Sequence, residues 1–183
     1  MFRTKILVAD DDQIILSTIQ RGLEAEGYEI LTATDGEAAV RIGCAKKPDL
    51  AVLDIRMPGI FGIEAARQLR DRAGISSIFL SAYSDKELVE LAAKEGALGY
   101  LVKPIMIAQL IPAIEAALER SAELKRLHQN EINLTDAIKS NRTISLAIGI
   151  YMERFKLSEE QAADEVRTYA RAERSKMLEI AKK

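Results

Sequence analysis

The sequence predicts an α/β fold: a doubly wound, five-stranded parallel sheet with helices on both faces, followed by an all-helical second part. Three observations carry this. Up to about residue 105, short apolar runs alternate five times with stretches of helical periodicity. Each run is continuous and not alternating, as in strands buried on both faces. After residue 105 nothing reads as a strand.

The elements follow in order. Lys5-Ile6-Leu7-Val8-Ala9 is a buried strand closed by Asp10-Asp11-Asp12. Ile14, Ile15, Thr18, Ile19 and Leu23 then recur at helical spacing until Gly27. Tyr28 to Ala33 is a second strand, Asp35-Gly36 a turn and Glu37 to Lys46 a second helix. Pro48-Asp49 leads into Leu50-Ala51-Val52-Leu53, a strand that ends at Asp54. Gly62 to Arg72 is the third helix, and Ser77-Ile78-Phe79-Leu80 the fourth strand. Asp85 caps a helix from Lys86 to Glu95. Ala97 to Val102 is the fifth strand, ending at Lys103-Pro104.

Composition narrows the function. Of 183 residues, 48% are hydrophobic and 30% charged, enough apolar mass for a core. The net charge of -2 argues neither for nor against nucleic acid. Residues 1–121 carry a net of -4 and residues 122–183 a net of +2. No apolar stretch is long enough to span a bilayer, so no membrane partner is expected. The polar start, Met1 to Lys5, leads no signal peptide, and a cytoplasmic protein is expected. Cys44 and His128 are each alone, which excludes an internal disulfide and a His/Cys metal cage.

Open α/β sheets place their chemistry at the carboxyl ends of the strands. A single Asp54 there is more simply a turn cap. The other strand ends decide otherwise, since they bring Asp10 and Asp11, Ser81 and Lys103 to the same edge. Three converging carboxylates repel unless a cation joins them. Hard oxygen ligands suit Mg²⁺. Lys103 and Ser81 favour an incoming phosphoryl group. Asp54 is then the nucleophile, and carboxylate attack on phosphorus gives an aspartyl phosphate.

At these residues the sequence resembles the receiver domain of two-component response regulators. The matching pieces are Leu7-Val8-Ala9-Asp10-Asp11, Val52 to Gly59, Ser81-Ala82 and Tyr100-Leu101-Val102-Lys103-Pro104, within residues 3–121. The resemblance implies a flavodoxin-like strand order. It implies Mg²⁺ held by Asp11, Asp54 and the backbone carbonyl of Arg56, with Asp10 acting mostly through water. A sensor histidine kinase or a small donor would supply the phosphoryl group. Ser81 and Tyr100 would be the switch pair, and the Lys103-Pro104 bond would be cis. Arg56 and Tyr83 would set the lifetime of the phosphate, or be ordinary loop surface. The protein would be no enzyme beyond its own phosphoryl transfer and dephosphorylation.

In the second part, Ile107 to Leu127 reads as a long helix, with Pro112 near its start. Leu110, Ala113, Ala117, Leu124, Leu127, Leu134 and Ile138 fit an a/d heptad frame, broken by Arg120 and Glu131. This is either a coiled coil pairing two chains or a helix packed within its own chain. Three shorter helices follow: Asn141 to Phe155, one from the capping box at Ser158 and Gln161, and a last one holding Met177, Leu178 and Ile180. The expected division is a receiver at 1–121, a helical linker at 122–140 and a three-helix module at 141–183.

The order of features over residues 134–181 resembles the ANTAR domain, an RNA-binding output module. The matching positions include Leu134, Ala137-Ile138, Ala147, Gly149-Ile150, Leu157-Ser158, Ala162 and Val166-Arg167. The resemblance implies antitermination, in which a phosphorylated homodimer binds RNA stem-loops; no DNA partner is expected. RNA loops are read by aromatic stacking and by Arg or Lys on phosphates. The candidates are Arg142, Arg154, Arg167, Tyr169, Arg171, Arg174 and Lys176. Asn141, Ser145, Ile148 and Ala163 depart from the family's usual Arg, Glu, Lys and Phe. The alternative is a signalling adaptor whose C-terminal helices bind protein. An enzyme of the haloacid-dehalogenase type would need a second Asp where Arg56 stands.

Overall fold

A computed structural model describes residues 3–82, 86–173 and 175–181. Its chain divides into two compact units, Met1–Leu124 and Lys125–Lys183.

The first unit holds five parallel strands: β1 (Lys5–Ala9), β2 (Glu29–Ala33), β3 (Leu50–Asp54), β4 (Ser76–Ser81) and β5 (Gly99–Val102). Their order across the sheet is β2-β1-β3-β4-β5. The helices between them are α1 (Gln13–Ala25), α2 (Gly36–Lys46), α3 (Gly62–Ala73) and α4 (Lys86–Lys94). Alternate residues of each strand face opposite ways, so the sheet builds two cores. Leu7, Ala51, Leu53 and Phe79 pack with residues of α2, α3 and α4. Ile6, Val8, Val52 and Ile78 pack with Leu16, Ile19 and Leu23 of α1 and with Leu110, Ile114 and Ala117, which follow β5. Ile14, placed by its spacing on the inner stripe of α1, lies in solvent instead, and Leu16 takes the inner place.

Local chemistry fixes the helix starts at the functional edge. Asp12 caps α1 by accepting from the Ile14 and Ile15 N–H groups, and Asp35 caps α2 by accepting from Ala38 N–H. The start of α3 comes so close to β3 that a Cβ on Gly62 would overlap the Asp54 carbonyl. Asp85, expected to cap α4, lies outside the described residues.

The helices expected at Ile107–Leu127 and Asn141–Phe155 are one continuous helix, α5 (Ile107–Phe155). The expected linker at 122–140 is helical throughout. It contains neither Gly nor Pro, so nothing in it stops a helix. The heptad frame divides between two environments. Leu110 and Ala117, which the spacing left open to either packing within the chain or pairing between chains, are buried with Ile114 in the core of the first unit. The first apolar members left in solvent are Leu124 and Leu127, followed by Leu134 and Ile138. Ser121 is buried, and its hydroxyl meets that of Ser76 at 3.0 Å.

In the second unit the end of α5 packs with α6 (Glu159–Ala172), and α6 packs with α7 (Met177–Ile180). The predicted capping box is present, with Ser158 accepting from Gln161 N–H and the Gln161 side chain accepting from Ser158 N–H. Val166 and Ala170 form a small core with Ile148, Tyr151 and Met177. Ile148, a departure from the family pattern, therefore has a packing role. Among the described residues no helix is long and apolar enough to cross a membrane.

Candidate functional site

The carboxyl edge of the sheet brings Asp10, Asp54 and Lys103 together. Register explains how. Ala9 pairs with Leu53, so Asp10 and Asp54, each one residue on, leave neighbouring strands side by side. Both are buried. Each carboxylate is held at both oxygens in the same way. Asp10 accepts from Asp12 N–H at 3.1 Å through Oδ1 and from Lys103 Nζ at 2.6 Å through Oδ2. Asp54 accepts from Arg56 N–H at 2.7 Å through Oδ2 and meets Lys103 Nζ at 2.6 Å through Oδ1. One ammonium thus neutralises two acids, and two i+2 backbone N–H groups fix their rotamers.

The electrostatics follow from burial. Loss of water pushes the Asp10 carboxyl above its ordinary range, against the pull of Lys103 and of Asp12 N–H. Burial draws Lys103 down, but its bonds to Asp10 and Asp54 and their charges outweigh it, so its pKa lies above the usual lysine value. Lys103 is therefore a fixed cation at neutral pH.

Ser81 ends β4, buried, beyond Leu80, the residue that pairs with Asp54. Tyr100 lies on β5, half-buried against the core that holds Phe79. Asp11 lies in solvent, and among the described residues no three acidic side chains gather closely enough to hold a metal ion. Asp10 and Asp54 both turn to Lys103 instead. Arg56 is exposed beside Asp54, and Tyr83 lies outside the described residues. The Lys103-Pro104 bond is cis. A cleft of about 670 Å³ adjoins the loop after Asp54, lined by Ile55, Phe61, Ile63, Leu88 and Leu91. It had no signal in the sequence, because α3 and α4 supply its walls from segments far apart in the chain.

In the second unit, Arg142, Arg154, Arg167, Arg171 and Lys176 are exposed, as is Tyr169. They do not form one unopposed basic face. Arg167 donates to Asp164 at 2.7 Å, and α6 also carries Glu159, Glu160 and Glu165. Arg174 lies outside the described residues.

Known proteins match both halves. The response regulator receiver domain matches residues 6–115, and the ANTAR domain matches residues 133–183. The transcriptional regulatory protein PdtaR of Mycobacterium tuberculosis is 34% identical over 178 residues, covering 97% of this chain and 87% of that one. The alkaline phosphatase synthesis transcriptional regulatory protein PhoP of Bacillus subtilis is 38% identical over 118 residues, with 64% of this chain matching about half (49%) of PhoP. Among solved structures, a response regulator receiver domain from Clostridium thermocellum is 35% identical with a TM-score of 0.62, over 66% of this chain and 98% of that one. A CheY-like receiver domain from Methanospirillum hungatei gives 28% and 0.63, over 67% and 98%. By these matches, and by the strand order and the acid–lysine cluster at the sheet's edge, the chain belongs to the response regulators and joins a receiver domain to an ANTAR domain.

Proposed function

We propose that Asp54 accepts a phosphoryl group from a sensor histidine kinase and that the ANTAR domain binds RNA stem-loops to control antitermination. The observation that carries the first half is the double contact of Lys103 with Asp54 and Asp10. A carboxylate oxygen of Asp54 attacks phosphorus. The new O–P bond forms as the bond to the donor breaks, and the donor nitrogen or oxygen keeps the electron pair. Lys103 moves part of its charge to the incoming phosphoryl oxygens. Ser81 and Tyr100 respond to the new group.

Asp11, Asp54 and the Arg56 carbonyl would hold Mg²⁺, with Asp10 acting through water. The donor set fits: all are hard oxygens, and Asp10 and Asp54 already converge on a single cation. Bound there, the ion supplies positive charge to the phosphoryl oxygens. The chain acts in the cytoplasm, its only catalysis being its own phosphoryl transfer and hydrolysis.

Incubation with a small acyl phosphate and Mg²⁺ tests the first half. The acid-stable, base-labile label should map to Asp54 and vanish in Asp54→Asn; label elsewhere overturns it. Selection of transcripts from total RNA, with and without phosphorylation, tests the second half. No enriched stem-loop in either state overturns it.

One observation bears on both this reading and the adaptor reading. The apolar stripe of Leu127, Leu134 and Ile138 on α5 is exposed and long enough to seat a protein partner. A second copy of this chain fits it as a phosphorylation-dependent homodimer, since the positions keep a heptad frame.

A further inference from the structure

We infer that the ring of Phe155, backed by Tyr151 and flanked by Arg154, is a stacking seat for one unpaired base of an RNA loop. The inference rests on the RNA-binding reading above and adds to it a site that none of the basic candidates alone defines.

Phe155 is the last residue of α5 and is 55% exposed. Lys156 follows in the left-handed region at φ 52°, and Leu157 N–H bonds back to Met152 O at 3.2 Å, so the chain turns away just after the ring. The ring is not loose. Its centroid lies 5.2 Å from that of Tyr151, tilted by 47°. Tyr151 is itself seated against the Val166 and Ala170 core. The core thus fixes Tyr151, and Tyr151 props Phe155 outward. A large ring held in water in this way gains from a flat partner.

Charge specifies which partner. The Arg154 guanidinium lies 5.7 Å from the Phe155 centroid. Arg154 makes no ion pair among the described residues, whereas the adjacent acid, Glu153, is bridged to Lys156 at 2.7 Å. An exposed ring with a guanidinium held over it matches a nucleobase with its phosphate. Bases within a duplex already stack on each other and offer no free face, so the seat selects loops and single strands. An aliphatic protein surface would use the ring but leave the guanidinium without a counter-charge.

The chain has no Trp, so Phe155→Trp introduces a single indole reporter at the seat. The probes are a pool of RNA stem-loops with randomised loops, single-stranded oligo(A), and an oligo(A)·oligo(U) duplex, each titrated into the full chain. Indole emission should be quenched by the stem-loop pool and by oligo(A) and not by the duplex. Phe155→Leu should weaken binding of the stem-loop pool about tenfold, with Phe155→Tyr restoring it and the melting temperature unchanged. Wild-type binding that Phe155→Leu leaves intact overturns the stacking seat and leaves the RNA reading standing. Failure of wild type to bind any probe overturns both. Equal weakening of loop and duplex binding, or an indole signal that follows only protein concentration, also overturns the seat.

Discussion

Lys103 and Asp54 meet at 2.6 Å although their strands, β5 and β3, are not neighbours; β4 lies between them. The same Nζ lies 2.6 Å from Asp10 at the end of β1. A single ammonium therefore spans the ends of three strands and compensates two buried acids.

Removing it leaves those acids without a counter-charge. Lys103→Met should cost roughly 3 kcal/mol at neutral pH, the order expected when one partner of a buried pair is lost. The pKa of Lys103 is higher in the folded chain than its ordinary 10.5. Its stabilisation is then fully present below that value and is lost as pH rises through the folded value. Urea melts across an alkaline series should show the gap between wild type and Lys103→Met closing above pH 10.5. A gap that stays constant through strongly alkaline solution contradicts this.

Gly62 controls the same acid from the backbone side. A Cβ there overlaps the Asp54 carbonyl, which belongs to the strand and cannot rotate away. Gly62→Ala should cost about 1–3 kcal/mol, the range for overpacking. It should also slow acyl-phosphate labelling of Asp54 in the fraction that remains folded. Normal stability together with a normal labelling rate would show that α3 shifts without moving the acid.

Glu131 interrupts the exposed stripe between Leu127 and Leu134. In a parallel pair of chains two such carboxylates would face each other at the seam. Glu131→Leu replaces that repulsion with apolar burial and should tighten self-association more than tenfold, since about 1.4 kcal/mol suffices for a factor of ten. Sedimentation equilibrium measures it, and an unchanged monomer fraction sinks the parallel seam.

Ser158 starts α6 through its reciprocal bonds with Gln161. Ser158→Ala should cost about 1 kcal/mol. Hydrogen exchange should locate the loss in the first turn of α6 and leave β1 and β3 unchanged. Uniform loss across both units is the opposing result.

These residues also show where the sequence was informative. The strands were legible because both faces are buried, so each reads as an unbroken apolar run that stops at the edge where Asp10, Asp54, Ser81 and Lys103 stand. The seam was only half legible. Leu110, Ile114, Ala117 and Ser121 step by four, three and four residues, the same spacing as a coiled coil, but they face the sheet. Spacing alone cannot say which partner covers a stripe. The spacing marks Ile107–Leu127, a helical linker and Asn141–Phe155 as successive helical stretches, and with no breaker between them they join as one helix. Tyr151 and Phe155 stand four apart, so their contact was readable, but exposure of the second ring depends on the turn at Lys156. The bond of Lys103 to Asp10 links residues 93 apart, and only the folded sheet reveals it.

Register gives that bond a mechanical meaning. Asp54 pairs with Leu80, and Ser81 with Val102, so Lys103 leaves β5 about two residues beyond the level of the acids. Two residues of strand are about 6.6 Å, and only a long, unbranched side chain folds back that far. Lys103 is in effect a guy-rope from the sheet's outermost strand to its centre. Its far end is fastened to the charge at Asp54, so the least buried strand of the five is tied by one side chain to the most deeply buried one.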